Sequence, residues 1–223
     1  MCLASGCTKK YDSVEDYAKD MQAVQKAQKS YSLEFNQSFN HTNAKYHYKV
    51  YKKNNLWKYE DLSENHQDYC NTYIFDGNEE ICHGDKKWAV ITTMPEAMKK
   101  VLKPSYQPVV SYSIFHWYRP LRGYVAPDVK PEFVNDKAKM NGFDCRLIRY
   151  NDKYEVCVSD KLGIAVYVKT KSYNSYISKT IETITNVIKA DTKELPDSEF
   201  VLPSDKVKIT EEQAEEKTLR GEF

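Results

Sequence analysis

The regular alternation of large apolar and polar side chains is the feature that most constrains the fold of this 223-residue chain. Tyr31, Leu33 and Phe35 alternate with polar residues, and the same period of two returns a few positions later. This spacing is typical of β-strands with one buried and one solvated face. Eighteen tyrosines suit strands as well. The pattern therefore predicts a mostly β protein built as an antiparallel meander.

Short polar turn signals divide the alternating runs. The predicted strands cover 30–39, 44–51, 56–60, 69–75, 80–91, 144–150, 154–159, 163–171 and 175–189. The last range also has isoleucines at helical spacing, but its content of Ile and Thr favours a strand. Between 92 and 120 the pattern breaks, with a short helix predicted over 95–102. The sheet resumes near Gly142, the segment 195–203 suits a final edge element, and 210–223 is a charged tail that frays or forms a short surface helix.

A helix is predicted before the first strand. Ser13 can cap its free N–H groups, and Asp16 suits the positive end of the helix dipole. Tyr17, Met21, Val24 and Ala27 then recur at three- and four-residue spacing, which indicates an amphipathic helix over about four turns. Because a lone helix of this length is marginal in water, its apolar stripe must pack on the sheet.

The first residues contain a possible lipidation signal. The stretch Leu3–Cys7 resembles a lipobox, in which a cysteine receives a diacylglycerol. Residues 1–12 are therefore interpreted as a signal remnant, lipobox and tether, with Cys7 as the lipidated residue. Only six residues precede Cys7, fewer than the basic and apolar parts of a signal peptide require. The alternative is a chance match at an ordinary N-terminus.

Four cysteines fall into two pairs, each twelve positions apart. Cys70 would face Cys82 across a hairpin whose loop is 75–77, and Cys145 would face Cys157 across a loop at 150–152. Both pairs are therefore predicted to be disulfides. The alternative is four buried free thiols, and a two-residue loop would shift either register and separate the partners.

Composition excludes several classes of function. A formal net charge of +1 argues against nucleic-acid binding. The five histidines lack metal-ligand spacing, and no nucleophile elbow, P-loop or dinucleotide fingerprint occurs. We therefore expect no catalytic residues, no metal site and no cofactor. Nothing in the sequence calls for an oligomer, so a monomer is expected.

The order of elements resembles the LolA-type lipoprotein-carrier superfamily. The resemblance covers about residues 13–209, which we interpret as one domain. It rests on the stretch 55–60 after the first hairpin, the strand and turn 73–77 followed by Trp88, the late hairpin around 155–166 and the closing segment 195–203. The superfamily folds an incomplete barrel around an apolar cavity, with helices over the concave face. The resemblance thus implies a curved antiparallel sheet of the same kind.

The function that the resemblance implies is sheltering a hydrophobic ligand. The expected partners are a lipid or an acylated lipoprotein, and a membrane reached through the lipid anchor, on the periplasmic side of a bacterial cell envelope. The residues predicted to line the cavity are Tyr31, Leu33, Phe35, Tyr46, Tyr48, Val50, Phe115 and Trp117. For Phe115 and Trp117 ordinary core packing is an open alternative. An envelope-stress sensor on the same fold, or a small carbohydrate-binding or enzymatic domain, are the alternative functions.

Overall fold

A computed structural model of the chain describes residues 10–63, 70–76, 78–93, 114–118 and 129–222. Helix α1 spans Val14–Ala27 and helix α2 spans Glu211–Leu219, with a 3-10 turn at Asp197–Phe200. The strands are β1 Ser30–Phe39, β2 Lys45–Lys53, β3 Leu56–Asp61, β4 Thr72–Phe75, β5 Glu79–His83, β6 Trp88–Thr93, β7 Glu132–Met140, β8 Phe143–Asn151, β9 Tyr154–Val158, β10 Ala165–Asn174, β11 Lys179–Asp191 and β12 Val207–Thr210.

All twelve strands form one curved, open sheet. Their order is β12-β6-β5-β4-β3-β2-β1-β11-β10-β9-β8-β7, and neighbours run antiparallel except for the parallel pair β12 and β6. Strands β1 and β11 join the two halves because β1 pairs with β2 on one side and with β11 on the other. The predicted fold class, a mostly β curved antiparallel sheet with an N-terminal helix, is confirmed.

Helix α1 begins where the sequence predicts. The Asp16 N–H donates to the Ser13 hydroxyl oxygen over 3.1 Å, which caps the first turn. The buried face of the helix consists of Val14, Tyr17, Ala18 and Met21, whereas Ala27 at the last turn is exposed. The helix thus packs its first three turns on the concave face of the sheet.

A buried charge network holds α1 to the second half of the sheet. The Arg146 side chain is only 4% exposed and donates to Asp160 from Nε and from a terminal nitrogen, each at 3.1 Å. The Tyr17 hydroxyl donates to the same carboxylate over 2.7 Å and to the Val158 carbonyl oxygen over 3.1 Å. The Arg146 guanidinium also lies over the rings of Tyr11 and Tyr17. Charge, hydrogen bonds and ring contacts therefore converge at one end of α1.

Several tyrosines lie in surroundings that raise the pKa of their hydroxyl groups. Burial, and next a hydrogen bond to Asp160, raises the pKa of Tyr17 well above its ordinary value of 10.0. Burial also raises the pKa of Tyr31, and burial with a hydrogen bond to Asp20 raises the pKa of Tyr11 to about 12. Each of these side chains holds its proton more tightly in the folded than in the unfolded chain.

We therefore expect these tyrosines to cause no change of the free energy of unfolding with pH below pH 10. Above pH 10 they should lower it as the pH rises. Each such tyrosine contributes a slope of up to about 1.4 kcal/mol per pH unit, because the unfolded chain loses the proton first. Urea unfolding at a series of alkaline pH values, with tyrosinate absorbance as a second signal, measures this slope. A stability that stays level well above pH 10 would contradict the assignment.

Three elements differ from the sequence prediction. The predicted strand 80–91 is two strands, β5 and β6, because the chain turns at 84–87 between them. Strand β7 had no sequence signal, since this edge strand is mostly exposed and its register shifts twice. The segment 195–203 forms no strand. It contains the 3-10 turn, in which Phe200 packs against Tyr51 and Ile74 on the convex face. The edge strand that follows β6 in the sheet is β12 instead.

Other predictions are confirmed or lie outside the described residues. The segment 175–189 forms most of β11, so the strand interpretation was right. The charged tail takes the surface-helix alternative as α2. The predicted helix 95–102 and the lipobox with Cys7 lie outside the described residues.

The structure pairs all four of the predicted cysteines. Cys70 bonds Cys82 and Cys145 bonds Cys157, with Cα–Cα distances of 5.6 and 5.5 Å that suit disulfides. The registers that led to this prediction were nevertheless wrong. Cys82 lies opposite Tyr73, and Cys157 lies opposite Leu147. Each bridge therefore joins residues that are not directly opposite, which the Cα distances still allow.

Candidate functional site

One continuous row of side chains crosses the concave face of the sheet. The row has one residue on each of seven neighbouring strands, and each residue is paired with the row residue on the next strand. Paired residues point to the same side of a sheet, so all seven side chains share one face. Six of the seven are apolar or aromatic, and the seventh is a disulfide sulfur. From β1 to β12 the row is Leu33, Val50, Tyr59, Tyr73, Cys82, Val90 and Ile209.

The first part of the row lies beneath α1 and the segment 114–118. Leu33, Val50 and Tyr59 are at most 3% exposed and belong to the main hydrophobic cluster. Phe115 contacts the rings of Tyr31 and Trp57, each with centroids 5.7 Å apart. This end of the concave face is therefore closely packed.

The predicted ligand-contact residues all lie in or beside this packed end. Tyr31, Leu33, Phe35, Tyr48 and Val50 are buried together, as the alternation on β1 and β2 predicts. Phe115 and Trp117 are 2% and 1% exposed, so both occupy the core. Tyr46 stacks on Tyr48 but is 37% exposed, so it lies at the rim of the cluster. Whether any of these side chains touches a ligand stays a prediction.

The far end of the row lies beneath α2. Val90, Ile209 and Ala214 form a small buried cluster against Trp88. The Lys217 ammonium lies 4.1 Å from the centre of the Trp88 ring, which is within the range of a cation–π contact. Helix α2 thus packs on β6 and β12 through one apolar residue and one cation.

Between the two covered ends the concave face opens into a cavity of about 720 Å³. The size falls within the range of small-molecule sites. Its floor consists of Tyr73, Val90 and the Cys70–Cys82 bridge, and its wall is the inner face of α2. The α2 residues in this wall recur at helical spacing and are Glu211, Ala214, Glu215, Thr218 and Leu219.

Polar groups line the cavity on both the sheet and α2. Glu80 is only 5% exposed, and Thr92 on the neighbouring strand donates to the Glu211 carboxylate over 2.6 Å. With Glu215, three carboxylates therefore border an otherwise largely apolar space. Such a site would hold the hydrocarbon part of a molecule and would disfavour an anionic group near these carboxylates.

Sequence reasoning missed this cavity because it placed 210–223 on the surface, as a frayed tail or a short helix, with no contact to the concave face. A signal was present: Thr210 caps the Gln213 N–H, and the Gln213 side chain accepts from the Thr210 N–H, which is a capping box. No local sequence signal places the strand residues of the cavity next to α2. Tyr73 and Val90 become neighbours of α2 only through the parallel pairing of β12 with β6.

No helix among the described residues is long and apolar enough to cross a membrane. In the same described ranges, no group of three or more His, Cys, Asp or Glu residues could hold a metal ion.

Comparisons with known proteins concern the fold. No family model and no curated protein matches the sequence. An uncharacterized conserved protein from Thermus thermophilus is 8% identical with a TM-score of 0.52, over 87% of this chain and 99% of that one. The LolA superfamily protein NE2245 from Nitrosomonas europaea is 10% identical with a TM-score of 0.37, over 86% and 99%.

A third solved structure is MucB in the Pseudomonas aeruginosa MucA/MucB complex, which is 8% identical with a TM-score of 0.43, over 85% of this chain and 62% of that one. Of these three structures, the Thermus thermophilus protein alone has a TM-score above 0.5, so the shared fold rests on it. The chain therefore has the fold of that protein.

Proposed function

We propose that this chain binds a hydrophobic ligand, a lipid or the acyl chains of a lipoprotein, on the concave face of its sheet. The observation that carries the proposal is the cavity of about 720 Å³ beneath α2, on the same row of side chains as the packed end. A concave space lined by apolar side chains together with a few polar groups is typical of small-molecule sites. The protein would act by sheltering such a ligand, with no chemical step.

The geometry suggests how a ligand would enter. Tyr73 packs against the main hydrophobic cluster and also lines the cavity, so an acyl chain in the cavity would contact Tyr73 at the edge of that cluster. Helix α2 holds the site from the other side with few buried side chains, since Ala214 alone is buried along its length. A cover with so little buried area is easily displaced, because each buried apolar side chain adds only about 1.5–3 kcal/mol.

Filling the cavity should abolish binding without unfolding the protein. Thr218 is exposed on the cavity side of α2, so Thr218→Trp would place an indole in the space. We expect at least about a tenfold loss of affinity for a fluorescent long-chain fatty acid, equivalent to roughly 1.4 kcal/mol. Fluorescence titration measures the affinity, and native mass spectrometry shows whether a lipid co-purifies with the parent.

Glu212→Trp is the matched control, because Glu212 is exposed on the same helix but does not line the cavity. It adds the same side chain at a site where no ligand would be displaced. Equal affinity of the two tryptophan variants, or a parent protein that binds no hydrophobic probe, would rule out the proposed site.

The location that we propose is the bacterial cell envelope, with a lipid anchor at Cys7. Two disulfides support an oxidising compartment, since such bonds persist there. Stable anchoring needs more than one acyl chain, which a diacylglycerol on the cysteine thiol supplies.

We expect the N-terminal peptide of protein extracted from the envelope to carry this lipid on Cys7. Mass spectrometry of the extracted protein identifies the modified peptide. Replacing Cys7 with Ser should make attachment reversible, so that a high-salt wash releases the protein from the membrane fraction. An unmodified Cys7 in the envelope-extracted protein would contradict the anchor and leave the cavity proposal standing.

A further inference from the structure

A two-stranded ribbon projects from one end of the sheet. Strand β1 makes its last pairing with β11 at Thr183, and β9 makes its first pairing with β10 at Thr170. The pairs Ser172–Ile181, Tyr173–Thr180 and Asn174–Lys179 continue beyond both of these strand pairings, and Asn40 of the β1–β2 turn still donates from Nδ2 to the Thr180 carbonyl oxygen. Three residue pairs extend the ribbon by about 10 Å before the turn.

The tip of this ribbon exposes aromatic and aliphatic side chains. Tyr176 is 98% exposed, Tyr173 is 67% exposed and Ile177 is 45% exposed. The turn is nevertheless well built, since the Tyr176 N–H donates to the Asn174 side chain over 2.9 Å and Ser178 adopts a φ of 51°. The exposed side chains are therefore held in place by the hairpin.

Charge around the tip has one sign. Residues 172–181 contain Lys179 and no acidic residue. The first carboxylate below the tip is Glu182, which is already shared by Lys169 at 3.0 Å and Lys171 at 3.8 Å. The adjacent β1–β2 turn, which Asn40 bonds to β11, adds an exposed Lys45. The tip thus combines exposed tyrosines with an excess of positive charge.

We propose that this tip, formed by residues 172–181, docks the protein on the surface of a lipid bilayer that contains anionic lipid. Tyrosine rings partition to the headgroup level of bilayers, and lysines there are attracted to anionic headgroups. A narrow convex tip buries far less than the roughly 800 Å² per partner of a stable protein interface. Insertion into a bilayer, in contrast, requires only the side chains at the tip.

This contact is separate from the concave cavity, and it would not require the lipid anchor proposed at Cys7. It would set the orientation of the protein at the membrane, whereas the anchor would only limit the distance of the protein from the membrane. The proposal therefore stands or falls independently of ligand binding.

The test is flotation of the full chain, carrying Cys7→Ser to remove the anchor, with lipid vesicles. The vesicles are phosphatidylcholine alone or phosphatidylcholine with about a third phosphatidylglycerol. We expect binding to the anionic vesicles, and at least about a tenfold loss of partitioning for Tyr176→Ser/Ile177→Ser, since two apolar side chains leave the bilayer. Lys179→Gln should weaken binding to the anionic vesicles by about fivefold, leave binding to the neutral vesicles unchanged and flatten the salt dependence.

The matched control is Val201→Ser/Val207→Ser, which removes two exposed apolar side chains elsewhere and should bind as the parent does. Tyr176→Trp should keep full binding, because an indole also suits the headgroup region. A parent chain that fails to bind anionic vesicles, or a tip variant that binds as tightly as the parent, would overturn the proposal. So would a tip variant that changes only the oligomeric state. Affinity of the tip variants for the fatty-acid probe reports separately on the cavity.

Discussion

Replacing Gly163 with Ala should destabilise the protein by about 3 kcal/mol or more, because the added methyl group has no space. A Cβ at Gly163 would lie 2.3 Å from the Met21 carbonyl oxygen and 2.8 Å from the Gln25 backbone nitrogen. Both atoms belong to the backbone of α1 and cannot move without shifting the helix. The φ of Gly163 is also +69°, which disfavours any other residue.

Gly142→Ala separates the steric clash of the added methyl group from the cost of the positive φ. Gly142 has a φ of +86°, but a Cβ added there would meet nothing within 4 Å. Alanine there should therefore cost only the conformational penalty of about 1–2 kcal/mol. Urea unfolding of both variants measures the difference. Similar losses in the two would mean that α1 does not pack closely on the loop that precedes β10.

Removing the Asp160 carboxylate should destabilise the fold by about 3 kcal/mol, because it leaves the buried Arg146 charge without its main partner. Asp160 accepts from Arg146 and from the Tyr17 hydroxyl, so it connects β8 to α1. Asp136 is a poor substitute, because it lies 3.7 Å from the Arg146 guanidinium, whereas Asp160 accepts hydrogen bonds from it at 3.1 Å. Asp160→Ala therefore tests the network that holds the N-terminal helix.

Glu155→Ala serves as the control. It removes the partner of Arg149, whose side chain is 45% exposed, so the loss should stay below about 1 kcal/mol. The double variant Arg146→Met/Asp160→Leu should recover much of the stability, since no charge then remains buried. Denaturation midpoints that fall equally for Asp160→Ala and Glu155→Ala would show that the buried pair contributes no more than a surface pair.

Local patterns in the sequence determined the nature of most elements. Alternation on β1 and β2 placed Tyr31, Leu33 and Phe35 on one face, because the side-chain period of a strand is two. The cap at Ser13 set the start of α1 within one residue. Twelve-residue cysteine spacing identified both disulfide pairs, even though the assumed loops were wrong.

Only the tertiary structure decided how these elements meet. The order of strands, the parallel pairing of β12 with β6 and the position of α2 depend on contacts between segments more than 100 residues apart, on which local alternation is silent. The same holds for the cavity, whose walls come from β4–β6 and α2, and for the ribbon, whose projection depends on where β1 and β9 end. Alternation with a period of two determines which side chains share a face within one strand. It does not determine which strands become neighbours. That pairing, and hence the site, depends on the free energy of packing the whole sheet.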